Sequence, residues 1–111
     1  MESREVELYK LVFFVPESHL ELVKRSIFEA GAGAIGDYDS CCWQVKGEGQ
    51  FRPLKSSNPY IGKLNQLEVV EEFRVELVCR DEKIRDAVTA LKKTHPYEEP
   101  AYDVVKLVNL A

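Results

Sequence analysis

Histidine and cysteine are scarce in this chain of 111 residues, which has two of the first and three of the second. Cys41, Cys42 and Cys79 are odd in number and lack metal-ligand spacing. Adjacent Cys41 and Cys42 make a poor disulfide framework, so reduced cytosolic thiols are expected, with a redox or metal pair as the alternative. Basic clusters are missing as well. Fifteen Lys and Arg face nineteen Asp and Glu, for a net charge of −4. With no run of Lys and Arg, nucleic acid is excluded as a partner. No apolar run approaches the ~18 residues of a membrane span. The charged start Met1-Glu-Ser-Arg-Glu5 does not read as a signal peptide, and a cytoplasmic location is expected. No nucleophile, base and orienting group can be assembled from the serines and histidines, so no catalytic residue is assigned.

What is present is ordinary for one globular domain: 45% hydrophobic and 31% charged residues. Glu5 to Val15 alternates as a strand that Pro16 ends. Ser18 with Glu21 reads as a capping box for a helix carrying Leu20, Val23, Ile27 and Ala30. Gly31 to Gly36 stops that helix, and Tyr38 to Val45 reads as a second strand. Lys46 to Gln66, rich in Gly, Pro, Ser and Asn, is expected as a long loop or short hairpin. Val69 to Arg80 is a third strand, and Asp81 caps a helix carrying Ile84, Ala87, Val88 and Leu91. Pro96 then ends the helix, and Tyr102 to Leu110 is the last strand.

Shifting the chain by 64 residues lays one half on the other without a gap: Tyr9 meets Phe73 (9 + 64), Phe13 meets Leu77 (13 + 64) and Ile27 meets Leu91 (27 + 64). Two strand-helix-strand units predict a ferredoxin-like plait, α+β in class, with one antiparallel sheet and both helices on one face. Val12, Phe14, Val78, Val105 and Leu107 leave apolar surface that such helices cannot cover, which points to a homo-oligomer. The halves diverge most where a glycine loop aligns with His95-Pro-Tyr-Glu-Glu-Pro100.

Four segments in series carry a family resemblance: Gly31 to Tyr38, Gly47-Glu-Gly49-Gln-Phe51-Arg52-Pro53, Asn58-Pro-Tyr-Ile-Gly62, and His95 to Asp103. Together they resemble the PII-like insert domain of the Nif-three-like dimetal proteins, here standing alone. The His-Pro-Tyr-Glu segment also resembles a loop of the CutA divalent-cation tolerance proteins. The resemblance implies a PII/CutA-like plait with a long loop between its second and third strands, and a homo-oligomer, trimer favoured and dimer the alternative. It implies none of the larger family's hydrolase or cyclohydrolase activity, because no residue here matches the metal ligands on that family's flanking halves.

His95, Glu98 and Glu99 are the candidate ligands of a divalent metal, zinc or copper. The alternative has His95 capping the second helix, with the glutamates solvated or paired across an interface. Gly47, Gly49 and Arg52, with Tyr97, are the candidate small-ligand residues, since glycines allow close backbone approach and arginine grips anions. A hairpin with Phe51 packed and Arg52 exposed is the alternative. The function expected is a homo-oligomeric binding or regulatory module. Rival readings are a hydrolase with a metal site composed between subunits and a plain protein-interaction domain.

Overall fold

A computed structural model describes residues 6–110 of the chain. In order they form β1 (Leu8–Val15), a 3-10 turn (Glu17–His19), α1 (Leu20–Glu29), β2 (Trp43–Phe51), β3 (Glu68–Arg80), α2 (Asp81–Thr94) and β4 (Tyr102–Leu107). The strands make one antiparallel sheet in the order β2-β3-β1-β4. This is the expected ferredoxin-like arrangement. Leu11, Phe13 and Val15 of β1 and Val75, Leu77 and Cys79 of β3 share one face by alternation. Leu20, Val23 and Ile27 of α1 and Ala87 and Leu91 of α2 pack against that face, completing one core cluster. Asp81 and Glu82 open α2 while Lys92 and Lys93 close it, which suits the helix dipole. Among the described residues no helix is long and apolar enough to cross a membrane.

Several boundaries differ from expectation. Glu5 lies outside the described residues, and β1 begins at Leu8. Ser18 does not cap α1; Pro16 leads into the 3-10 turn, and Ser18 Oγ sits 2.8 Å from His19 Nδ1 instead. Asp81 is the first residue of α2 rather than its cap, which is Arg80. The last strand stops at Leu107 rather than Leu110.

The largest correction concerns β2. Tyr38 to Cys42 are not strand, because the chain makes a tight turn there. The Gly33 N–H donates to Val78 O at 2.8 Å, Cys41 N–H donates to Gly33 O at 2.8 Å, and Ile35 pairs with Tyr38. Gly33 occupies the ladder position on β3 just beyond the last β2 pair, Trp43 with Glu76. It does so at φ +78°, where a Cβ would overlap the Phe28 ring and the Cys41 carbonyl. β2 therefore starts late and runs on through Phe51, so Gly47 and Gly49 are strand residues, not loop residues. The connecting loop is residues 52–67, tied shut by Asn65 N–H donating to Pro53 O at 2.6 Å.

Residues 47–51 of β2 and 68–72 of β3 run on beyond the last β1 pair as a two-stranded arm. The Cα radius of gyration is 15.8 Å, with extents of 59 × 23 × 21 Å; a globule of this length has roughly 13 Å. The β2 edge and this arm carry exposed apolar side chains, with Trp43 58% and Val69 55% exposed. The open sheet face expected to be apolar is less so: Val12 is buried, Phe14, Val78 and Leu107 are half-buried, and Val105 alone of the five is exposed.

Two loop glycines with positive φ separate the strain from the packing. Gly33→Ala should lose about 2–4 kcal/mol in urea unfolding, combining the left-handed penalty with overpacking. Gly36, at φ +56° with open space around its Cβ position, should lose only about 1 kcal/mol as Gly36→Ala. Equal losses would contradict the close approach assigned to Gly33.

Candidate functional site

The proline loop after α2 is organised by one buried imidazole. Pro96 holds His95 extended at ψ 137°, so the helix ends there with His95 N–H donating to Leu91 O at 2.9 Å. The residue is 7% exposed. Its Nε2 is 2.7 Å from Phe14 O, and its Nδ1 accepts the Tyr97 N–H at 3.1 Å. A carbonyl only accepts and an amide only donates, so the ring is neutral with its proton on Nε2. Burial pushes the His95 pKa below its usual value, partly offset by the bond to Phe14.

That capping arrangement answers a need of the sheet. β4 pairs with β1 no further than Tyr102 with Phe13. The next carbonyl, that of Phe14, would otherwise lack a partner in the ladder, and a buried carbonyl left unbonded costs about 1–3 kcal/mol. In the 64-residue repeat Phe14 corresponds to Val78 (14 + 64), whose carbonyl is taken by Gly33 N–H. The two halves thus satisfy equivalent carbonyls with different donors.

Turned by His95, the Tyr97 hydroxyl donates to Glu72 Oε2 at 3.2 Å. Burial raises the Glu72 pKa, with the tyrosine bond working the other way. Burial and the neighbouring Glu72 charge push Tyr97 up to about 12. Glu72 reaches this place across Gly49, where a Cβ would collide with its carboxylate. Gly49 therefore leaves room for the Glu72 side chain.

The loop of residues 52–67 folds back over this pair. Asn58 N–H donates to Glu98 Oε1 at 2.9 Å. The Tyr97 ring lies 6.1 Å from Tyr60 and 6.4 Å from Phe51, centroid to centroid. Between loop and sheet is a cleft of about 420 Å³, within the size range of small-molecule sites. Arg52, Tyr97, Glu98 and Glu99 line it, as do Glu72 and Tyr60, which the sequence reading did not single out. Gly47 and Gly49 do not line it.

The expected metal trio is not assembled within one chain. Both His95 nitrogens are bonded to the backbone, and His95 is not among the residues that line the cleft holding Glu98 and Glu99. Among the described residues no three His, Cys, Asp or Glu side chains group closely enough to hold a metal ion. The donor set does not fit zinc or copper. His95 occupies the C-cap position of α2, while its ring bonds the Phe14 carbonyl and the Tyr97 amide rather than the helix. Cys41, Cys42 and Cys79 are free thiols, with Cys79 buried.

The neutral His95 sets a pH dependence. Its folded pKa lies below the unfolded value near 6.5, so the unfolded chain takes up the proton first as pH falls. Stability from this ring is complete above about 6.5 and is lost as pH drops toward the folded value. Glu72, whose folded pKa is raised above 4.5, acts with the opposite sign, gaining stability as pH falls through its window. Urea unfolding from about pH 8 to about pH 5 should therefore show a slope that His95→Gln removes while losing about 2 kcal/mol at the upper end. A slope unchanged in His95→Gln would contradict the buried neutral ring.

No protein-family model matches the chain. It is 47% identical over 102 residues to a "GTP cyclohydrolase 1 type 2 homolog" of Halalkalibacterium halodurans, covering 92% of this chain and 27% of that protein. It spans about a quarter of the length of the curated relatives it matches. A solved Bacillus cereus protein related to NIF3 superposes with a TM-score of 0.85 at 38% identity, over 98% of this chain and 28% of that one. The periplasmic divalent cation tolerance protein CutA from Archaeoglobus fulgidus shares the fold, with a TM-score of 0.67 at 15% identity, over 92% of this chain and 85% of that one. By sequence and by fold together, the chain corresponds to one segment of NIF3-related proteins and has a PII/CutA-like fold.

Proposed function

We propose that this chain is a homo-oligomeric binding module whose ligand site is the cleft between the proline loop and residues 52–67. The observation that carries the reading is the fastening of the cleft from both sides. His95 and Tyr97 fix its floor to β1 and β3, and Asn58 fixes its roof to Glu98. A loop tied down over aromatic rings gives a preformed concavity of the kind that takes small ligands. Arg52 at its rim and Tyr97 on its floor are the ligand contacts retained from the sequence reading.

The oligomer is supported by the arm of β2 and β3. A two-stranded ribbon is marginal alone, and β2 is an edge strand with apolar side chains on display. Packing arms in a ring of three, or pairing two, would cover that surface. A cytosolic setting suits the free thiols. The name of the curated relatives does not bring a cyclohydrolase reaction to this chain. Both nitrogens of His95 are engaged, and the Ser18–His19 contact joins sequence neighbours whose ring meets Tyr60 edge-on, with no carboxylate hydrogen-bonded to it among the described residues. A metal site shared between subunits or a bare docking domain would leave the ordered cleft without a role.

Ligand-observed NMR with a mixed fragment library, run alongside light scattering, tests both parts. The wild type should elute as a trimer or dimer and bind fragments. Tyr97→Ala should lose those fragments with the oligomer mass unchanged, and Trp43→Glu should lower the mass. Fragments that bind Tyr97→Ala equally, or a monomeric wild type, would contradict the proposal.

A further inference from the structure

The charges around the cleft are unbalanced. Glu72, Glu98 and Glu99 line it against the single guanidinium of Arg52, which is exposed. Among the described residues none of the three makes an ion pair, and Glu98 accepts only the Asn58 backbone N–H. Along β3, Glu71 pairs with Lys46 at 3.3 Å, and Glu76 pairs with Lys10 at 3.3 Å and Arg74 at 2.9 Å. Glu72, between them in sequence and half-buried, makes no ion pair among the described residues and has a tyrosine hydroxyl as its hydrogen-bond partner. Carboxylates withdrawn from water ordinarily find a cation, because the charge is otherwise costly to bury.

The chain places that carboxylate deliberately. β2 gives up a side chain at Gly49 to make room for it, although glycine weakens a strand by about 0.5–1 kcal/mol. Beside it stand the rings of Tyr97, Tyr60 and Phe51, whose faces attract positive charge. No lysine lines the cleft; the described lysine that sits over a ring, Lys92 on Tyr102, is outside it.

We infer that the cleft takes a small organic cation, its ammonium or guanidinium head against Glu72 and its apolar body among Tyr97, Tyr60 and Phe51. This rests on the reading of the cleft as a ligand site and adds the charge and shape of what enters. Glu98 and Glu99 at the mouth supply the field that draws a cation in. The raised pKa of Glu72 adds a signature: binding strengthens as pH rises and the carboxylate ionises.

Three probes with similar bodies and different heads test the inference on the full chain: phenethylammonium, 2-phenylethanol and 3-phenylpropanoate. Titrations followed by backbone amide NMR should place phenethylammonium in the cleft, with shifts at Glu72, Tyr97 and Tyr60. It should bind at least about tenfold more tightly than the alcohol, and the carboxylate should bind weakest, since charge-assisted contacts with the cation are about twice as strong as neutral ones. Glu72→Gln should bring the ammonium down to the level of the alcohol while leaving the alcohol unchanged. Gly49→Ala, which pushes the carboxylate from its seat, should do the same should Glu72→Gln fold poorly. Equal binding of ammonium and alcohol, or preference for the carboxylate, would overturn the cation inference and leave the ligand site standing. No binding by any of the three would overturn both.

Discussion

A single imidazole joins the parts of this domain that are far apart in sequence. His95 donates to the Phe14 carbonyl, 81 residues earlier, and accepts the amide of Tyr97, two residues on. The first bond completes the β1 ladder where β4 runs out, and the second sets the turn of the proline loop. Because the ring is buried and neutral, neither bond competes with water. The position of Tyr97, and through it of Glu72 and the cleft floor, follows from that one ring. Any account of binding here begins with why His95 cannot move.

The internal duplication explains how a glycine and a histidine came to do the same work. Both halves run strand, helix, turn, and in both the turn must cap a carbonyl on a strand of the other half. In the first half Gly33 brings its own N–H to Val78, which requires a left-handed backbone and no Cβ. In the second, the His95 side chain reaches the equivalent carbonyl of Phe14, so the backbone is free to swing outward through Pro96. A backbone donor gives a tight turn and a late β2. A side-chain donor gives a loop standing away from the sheet, and that standoff is where the cleft forms. The chemically loaded loop is thus the half in which capping was handed to a side chain.

Much of this was legible in the residues. Alternation along Leu11, Phe13 and Val15, the 64-residue repeat and the helical spacing of Val23 and Ile27 were enough for the plait. The segments from Gly31, Gly47, Asn58 and His95 were enough for the family resemblance. The boundary of β2 was not legible, because Val45 alternates well with its neighbours while the Gly33 contact that delays the strand is made to a residue 45 positions away. Gly47 and Gly49 look like a loop in a linear reading, yet Gly49 makes sense only with Glu72 lying across it. Likewise His95 beside two glutamates resembles a metal site until its two nitrogens are traced to backbone partners. Glu72 and Tyr60 carried a faint signal at most: one carboxylate among several on β3, and one tyrosine in a turn-rich stretch.

The tautomer of His95 is the observable nearest to the central claim, and nitrogen-15 NMR of the imidazole through its long-range proton couplings reads it directly. The account predicts a neutral ring protonated on Nε2, with Nδ1 bare and hydrogen-bonded, persisting as pH falls below the ordinary histidine value near 6.5. A ring protonated on Nδ1, or one that charges freely near that value, would contradict it, and with it the fixed loop on which the cleft depends.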